Sequence, residues 1–127
     1  MPQEDARVHV SRVATVAVPV ADPERAVAFY VGVLGFEKRR DMPFGAGARW
    51  IEVAPAGAAT TIALAPPGGN PTGIDTGIRL ASEDCEADHG ALRDRGADVD
   101  EILRWPGVPP MFSLRDPDGN TLYVVGG

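Results

Sequence analysis

The stretch Asp116-Pro117-Asp118-Gly119-Asn120-Thr121-Leu122-Tyr123-Val124-Val125 decides the fold. Its first half is built to turn. Pro117 fixes φ, Gly119 tolerates φ > 0, and the Asp and Asn side chains can hydrogen-bond their own backbone. Its second half is β-branched and aromatic, the composition of a short strand. A tight turn therefore feeds a strand near the end of the chain.

Working outward, the same grammar occurs twice. Val13 to Val20 alternates and reads as a strand. Asp22-Pro23-Glu24 then opens a helix, with Asp22 as N-cap, Pro23 in the first turn and Glu24 at the positive dipole end. Ala26, Val27, Phe29, Tyr30, Val33 and Leu34 supply a core-facing stripe, and Gly35 stops the helix. Extended segments follow at Phe36–Met42, Ala48–Ala54 and Thr60–Ala65. Pro66-Pro67-Gly68-Gly69-Asn70-Pro71 is a linker by composition. The second half repeats the order: a strand over Gly77–Ala81, a helix over Asp84–Arg95 ended by Gly96, then strands over Val99–Leu103, Met111–Arg115 and Thr121–Val125. The reading is α+β, one domain of two βαβββ modules spanning about residues 12–66 and 74–126.

Composition narrows the function classes. At 127 residues the chain has room for one core. Its net charge of −6 argues against nucleic acid, which calls for a basic stripe. No apolar run approaches the ~20 residues that cross a bilayer. The polar, acidic Met1-Pro2-Gln3-Glu4-Asp5 does not read as a signal peptide, and the single Cys85 allows no internal disulfide. A cytoplasmic setting is expected, and richness in Gly, Pro and Ala suggests a bacterial source.

The D-P-D-G-N turn with its terminal strand, inside a doubled βαβββ order, resembles the vicinal oxygen chelate superfamily: glyoxalase I, bleomycin-resistance proteins and extradiol dioxygenases. The resemblance implies two curved sheets that cup a cavity, with each helix outside. It also implies metal-ligand positions at the start of each half, on the fourth strand and on the last. Counted from Asp22 and Asp84, the first two fall on Thr15 and Gly77. The others fall among Thr61, Ile62, Ala63 and Leu64, and on Tyr123. A divalent ion wants carboxylate or imidazole donors, and these are not. His9 precedes the first strand and His89 sits on the second helix, so the expectation is no metal cofactor.

Strand parity then sorts candidates. Thr15 and Arg79 fall on the cavity faces of the first and fifth strands, and Tyr123 on that of the last. Arg79 suits a carboxylate or phosphate, and Tyr123 a hydrogen bond or a ring. Trp50, Glu52, Trp105 and Met111 are further ligand-binding candidates, Glu52 also as a lone general base. Cys85 and His89 read as packing groups on the apolar side of the second helix. The expectation is a metal-independent small-molecule binder for an aromatic or acidic ligand, working as a homodimer. The alternatives are a lyase, isomerase or dioxygenase of the same superfamily, and a dimeric interaction module.

Overall fold

A computed structural model describes residues 6–126. The first sheet has the order β1-β4-β3-β2, built from β1 (Thr15–Pro19), β2 (Glu37–Pro43), β3 (Arg49–Ala54) and β4 (Thr61–Ala65). The second has the order β5-β8-β7-β6, built from β5 (Asp75–Ser82), β6 (Asp98–Val99), β7 (Met111–Arg115) and β8 (Thr121–Gly126). In each sheet the first and last strands pair in parallel, Thr15 opposite Thr61 and Arg79 opposite Tyr123, and the other pairs are antiparallel. The chain is α+β with two modules of like topology, as the sequence pattern predicts.

Alternation decides what each face does. Val18 and Val20 in the first half, and Leu122 and Val124 in the second, are buried toward the helices. They join Phe29, Tyr30, Ile51, Leu64, Phe112 and Leu114 in one apolar cluster that spans both modules. Each large side chain so buried contributes about 1.5–3 kcal/mol. The opposite face of each sheet is left to Thr15, Trp50, Glu52, Arg79 and Tyr123, which are half-buried or exposed.

The caps fall where the sequence places them. The Asp22 carboxylate accepts from the Glu24 and Arg25 amides at 3.0 and 3.3 Å, and Asp84 accepts from Ala87 at 3.0 Å ahead of α2 (Cys85–Asp94). Two elements differ from expectation. The first helix is α-helical only over α1 (Pro23–Val27) and then widens into a π turn over Ala28–Val33. The wider turn lets the adjacent Phe29 and Tyr30 both enter the core. The strand expected over Val99–Leu103 pairs only at Asp98 and Val99, and Leu103 rejoins the sheet through a single bridge to Met111. Asp100 still donates its amide to the Ser113 carbonyl at 2.9 Å, and its carboxylate accepts from Ser113 and Arg115.

The D-P-D-G-N turn clasps the modules together. Asp116 accepts from the Asp118 and Asn120 amides, both at 2.9 Å, and from the buried Tyr30 hydroxyl at 2.8 Å. Asn120 donates to the Pro19 carbonyl at 2.8 Å, and Asp118 accepts from the Ala21 amide at 3.0 Å and from Arg25 at 3.2 Å. Gly119 sits at φ 83°, a conformation that L side chains rarely adopt.

Candidate functional site

On the open face of the first sheet, pairing of β1 with β4 sets the Thr15 and Thr61 hydroxyls 2.7 Å apart. Glu52, next in the sheet on β3, accepts from Thr61 at 2.9 Å through one oxygen and from the Trp50 indole at 2.8 Å through the other. A hydrogen-bonded chain Thr15–Thr61–Glu52–Trp50 results. The Trp50 hydrogen bond, helped by that of Thr61 and by the charge of Arg40, holds the Glu52 carboxyl below the usual glutamate value against partial desolvation. Glu52 is thus a fixed anion with both oxygens engaged. Trp50 also leans on Phe44, ring centroids 5.2 Å apart, beside a hollow of about 300 Å³ walled by Arg40 and Met42.

On the open face of the second sheet, register places Arg79 beside Tyr123, and the guanidinium carbon stands 4.2 Å from the ring centroid. Arg79 donates to the Gly77 carbonyl at 2.9 Å, and Tyr123 donates to Asp75 at 2.6 Å. Gly77, at φ 71°, turns its own amide onto Asp75 at 3.0 Å. These bonds, that of Tyr123 foremost, lower the Asp75 pKa, while the same partner raises that of Tyr123. Further across, Ser113 lies opposite Tyr123, and Arg115 binds both Asp98 and Asp100.

Between the two sheets runs a cleft of about 390 Å³. Val16, Thr61 and Ile62 line one wall, and Ile78, Arg79 and Leu80 the other. It is a mainly apolar slot with two threonine hydroxyls, Thr60 and Thr61, and one guanidinium. Thr61, rather than Thr15, stands on its wall, and Thr15 lies behind it by one hydrogen bond. Tyr123 is the platform under Arg79. Trp50 and Glu52 connect to the cleft through Thr61. Trp105 is 58% exposed on the loop after Leu103, and Met111 lies on β7 opposite Val125. No hydrogen bond or ring contact among the described residues ties either of them to these groups.

Sequence reasoning missed Thr61 and Asp75 as organising residues. Parity with Thr15 and Tyr123 was the available signal, but their partners lie 46 and 48 residues away in the chain. The helix residues behave as packing groups. His89 meets the Asp100 carbonyl at 2.8 Å and the edge of Phe112, and burial pushes the Cys85 thiol up. Neither lies on the open faces. The donors at the metal-ligand positions are hydroxyls, a glycine and a phenol, with Glu52 beside Thr61 and Asp75 beside Gly77 and Tyr123 as the nearby carboxylates. Among the described residues no three His, Cys, Asp or Glu side chains gather as an ion would need. This set does not fit a divalent ion.

The doubled βαβββ topology and paired open faces define a scaffold of the vicinal oxygen chelate kind. Residues 12–124 match the family model, and the chain belongs to the Glyoxalase/Bleomycin resistance protein/Dioxygenase superfamily. It is similar to the crystal structure of TnmS3, an antibiotic binding protein from Streptomyces sp. CB03234, at 35% identity and a TM-score of 0.85, over 94% of this chain and 98% of that one. It is also similar to a superfamily member from Sphaerobacter thermophilus DSM 20745, at 32% identity and a TM-score of 0.88, over 94% and 100%. Over 57 residues it is 40% identical to the uncharacterized protein YetH of Bacillus subtilis, 45% of this chain and 48% of that one, so the match spans about half the length of that curated relative. No helix of the described residues is long and apolar enough to cross a membrane.

Proposed function

We propose that the protein is a metal-independent small-molecule-binding protein that holds an aromatic or acidic ligand in the cleft and releases it unchanged. The observation that carries this reading is Arg79, poised on Tyr123 at the wall of a mainly apolar slot. The apolar walls suit a ring system. Arg79 has donors beyond the one given to Gly77, and they suit a carboxylate, phenolate or phosphate on that ring. Preorganisation by Tyr123 and Asp75 lowers the entropy lost when a ligand docks. Antibiotic binding by TnmS3 supports a natural product of that chemistry as the ligand class. The acting form is a homodimer in the cytoplasm.

Catalysis by a superfamily lyase, isomerase or dioxygenase has less support. Glu52 is the one carboxylate on the first open face, and its lowered pKa and two engaged oxygens make it a poor base near neutrality. The test is mass spectrometry of small molecules retained by purified protein, followed by calorimetric titration of what is found. Recovery of an anionic aromatic compound that binds without change supports the reading. Turnover of the bound compound, or wild-type affinity in Arg79→Ala, overturns it.

A further inference from the structure

A second hollow, of about 220 Å³, lies along the seam between the modules and against α2. Leu34 and Phe36 of the first module and Leu80, Leu92 and Val124 of the second give it an apolar floor. It borders the cleft through Pro55, Leu80 and Ala81, but Thr61 and Arg79 line the cleft alone. Its polar groups are Ser82, Asp88 and Arg95. Buried Ser82 accepts from the Asp84 amide at 3.1 Å and donates to one Asp88 oxygen at 2.5 Å, which orients the carboxylate. The other Asp88 oxygen has no hydrogen-bond partner among the described residues. Arg95 gives one N–H to the Val33 carbonyl at 2.7 Å, across the seam, and has further donors to spare. Among the described residues neither Asp88 nor Arg95 forms an ion pair, with each other or with any third group.

We propose that this hollow is a second binding site, separate from the cleft, for a small linear zwitterion with an ammonium at one end, a carboxylate at the other and an apolar body between them. Asp88 lies within α2 and Arg95 is its C-cap. Seven residues make two turns, so both stand on one side of the helix, about 10 Å apart along its axis. Ala91 lies between them, and its short side chain leaves the floor open. The hollow thus presents an unpaired anion and an unpaired cation at its two ends, with apolar surface between. A ligand of the complementary pattern makes a charge-assisted hydrogen bond at each end and covers the floor with its body. A ligand with one charge alone meets repulsion from Asp88 or from Arg95, so the pair selects against both simple cations and simple anions. The volume is below the roughly 300–1,000 Å³ of sites for drug-sized ligands, which confines the occupant to something of amino-acid size.

The test is titration of nitrogen-15-labelled protein with 6-aminohexanoate, read by amide NMR. Saturable shifts are expected at Leu34, Ser82 and Leu92, with Thr15 and Tyr123 unmoved. Asp88→Asn and Arg95→Gln should each weaken binding about threefold or more, the worth of one partly exposed charge contact. Ala91→Leu fills the hollow, keeps both charges and suits a helix, and should abolish the shifts. Hexylamine and hexanoate, each with one of the two charges, should bind more weakly than 6-aminohexanoate. Arg93→Ala, on the same helix but outside the hollow, should change nothing. Unchanged thermal unfolding of the variants confirms an intact core. The absence of saturable shifts at those three amides overturns the site. So does wild-type affinity in Ala91→Leu or in either charge variant, and so does equal binding of hexylamine or hexanoate. Shifts confined to Thr61 and Arg79 place the probe in the cleft and overturn the second site, leaving the reading of the cleft untouched.

Discussion

Tyr30 and Asp116 lie 86 residues apart in the chain and are joined by a 2.8 Å hydrogen bond inside the core that the two modules share. The phenol comes from the π turn of the first module and the carboxylate from the turn that opens the last strand. Burial, and then the neighbouring Asp116 charge, hold the Tyr30 hydroxyl protonated far above the ordinary tyrosine range. Tyr30→Phe removes the donor and leaves one oxygen of a buried carboxylate with only Asn120. A loss of about 1–3 kcal/mol in urea unfolding is expected.

The same pair sets an alkaline limit. The folded pKa of Tyr30 is raised, so its contribution is complete below the unfolded value near ~10 and is lost as pH rises beyond it. Unfolding free energy should fall above that point in the wild type and fall less steeply in Tyr30→Phe. The raised pKa of Tyr123 leaves some slope in the variant. Equal slopes in the two proteins would show that Tyr30 ionises freely in the fold.

Glu52 makes a separate prediction at the acid end. Its folded pKa is lowered, chiefly by Trp50, so the bond is present above the ordinary glutamate value and is lost as pH falls through the lowered one. The Trp50 indole proton should report this by NMR, with a titration midpoint below the ~4.3 of a free glutamate. Glu52→Gln should abolish that titration. A midpoint at or above the free value would mean that the carboxylate is not held.

The fold was legible because its signals are local. Asp22 and Asp84 open the helices and Gly35 and Gly96 close them within a few residues of their partners, and β-branched alternation marks most strands. The π turn was not legible, since it answers to the core that receives Phe29 and Tyr30. The end of regular pairing after Val99 was hidden for a like reason, because the partners of Asp98 and Asp100 come from another strand. At the site, parity alone placed Arg79 and Tyr123 on one face. It could not name Asp75 as the partner of Tyr123, or Thr61 as the partner of Thr15, because that requires knowing which strands pair in parallel.

Metal analysis offers a sharp check on the proposed chemistry. Elemental analysis of purified, untagged protein is expected to give well under one divalent ion per chain. Chelator should leave the melting temperature unmoved, and added Zn²⁺ or Ni²⁺ should not raise it, since a tight ligand of the native state would. One tightly held ion per chain would require donors other than Thr15, Gly77 and Tyr123.

The last prediction concerns the cleft. A ligand with an anionic group docked on Arg79 gains a charge-assisted hydrogen bond worth about 1.5–3 kcal/mol. Arg79→Ala should therefore weaken binding roughly 10- to 150-fold in calorimetric titration. Tyr123→Phe should cost less. It keeps the ring that supports the guanidinium and removes only the hydroxyl held by Asp75. Asp75→Asn tests the same support from the other side and should match Tyr123→Phe, because both break one bond under the same platform. Arg93, exposed on α2, is the control, and its change to Ala should leave affinity alone. If Tyr123→Phe and Asp75→Asn each cost as much as Arg79→Ala, the ligand contacts the phenol directly and Arg79 is not its principal anchor.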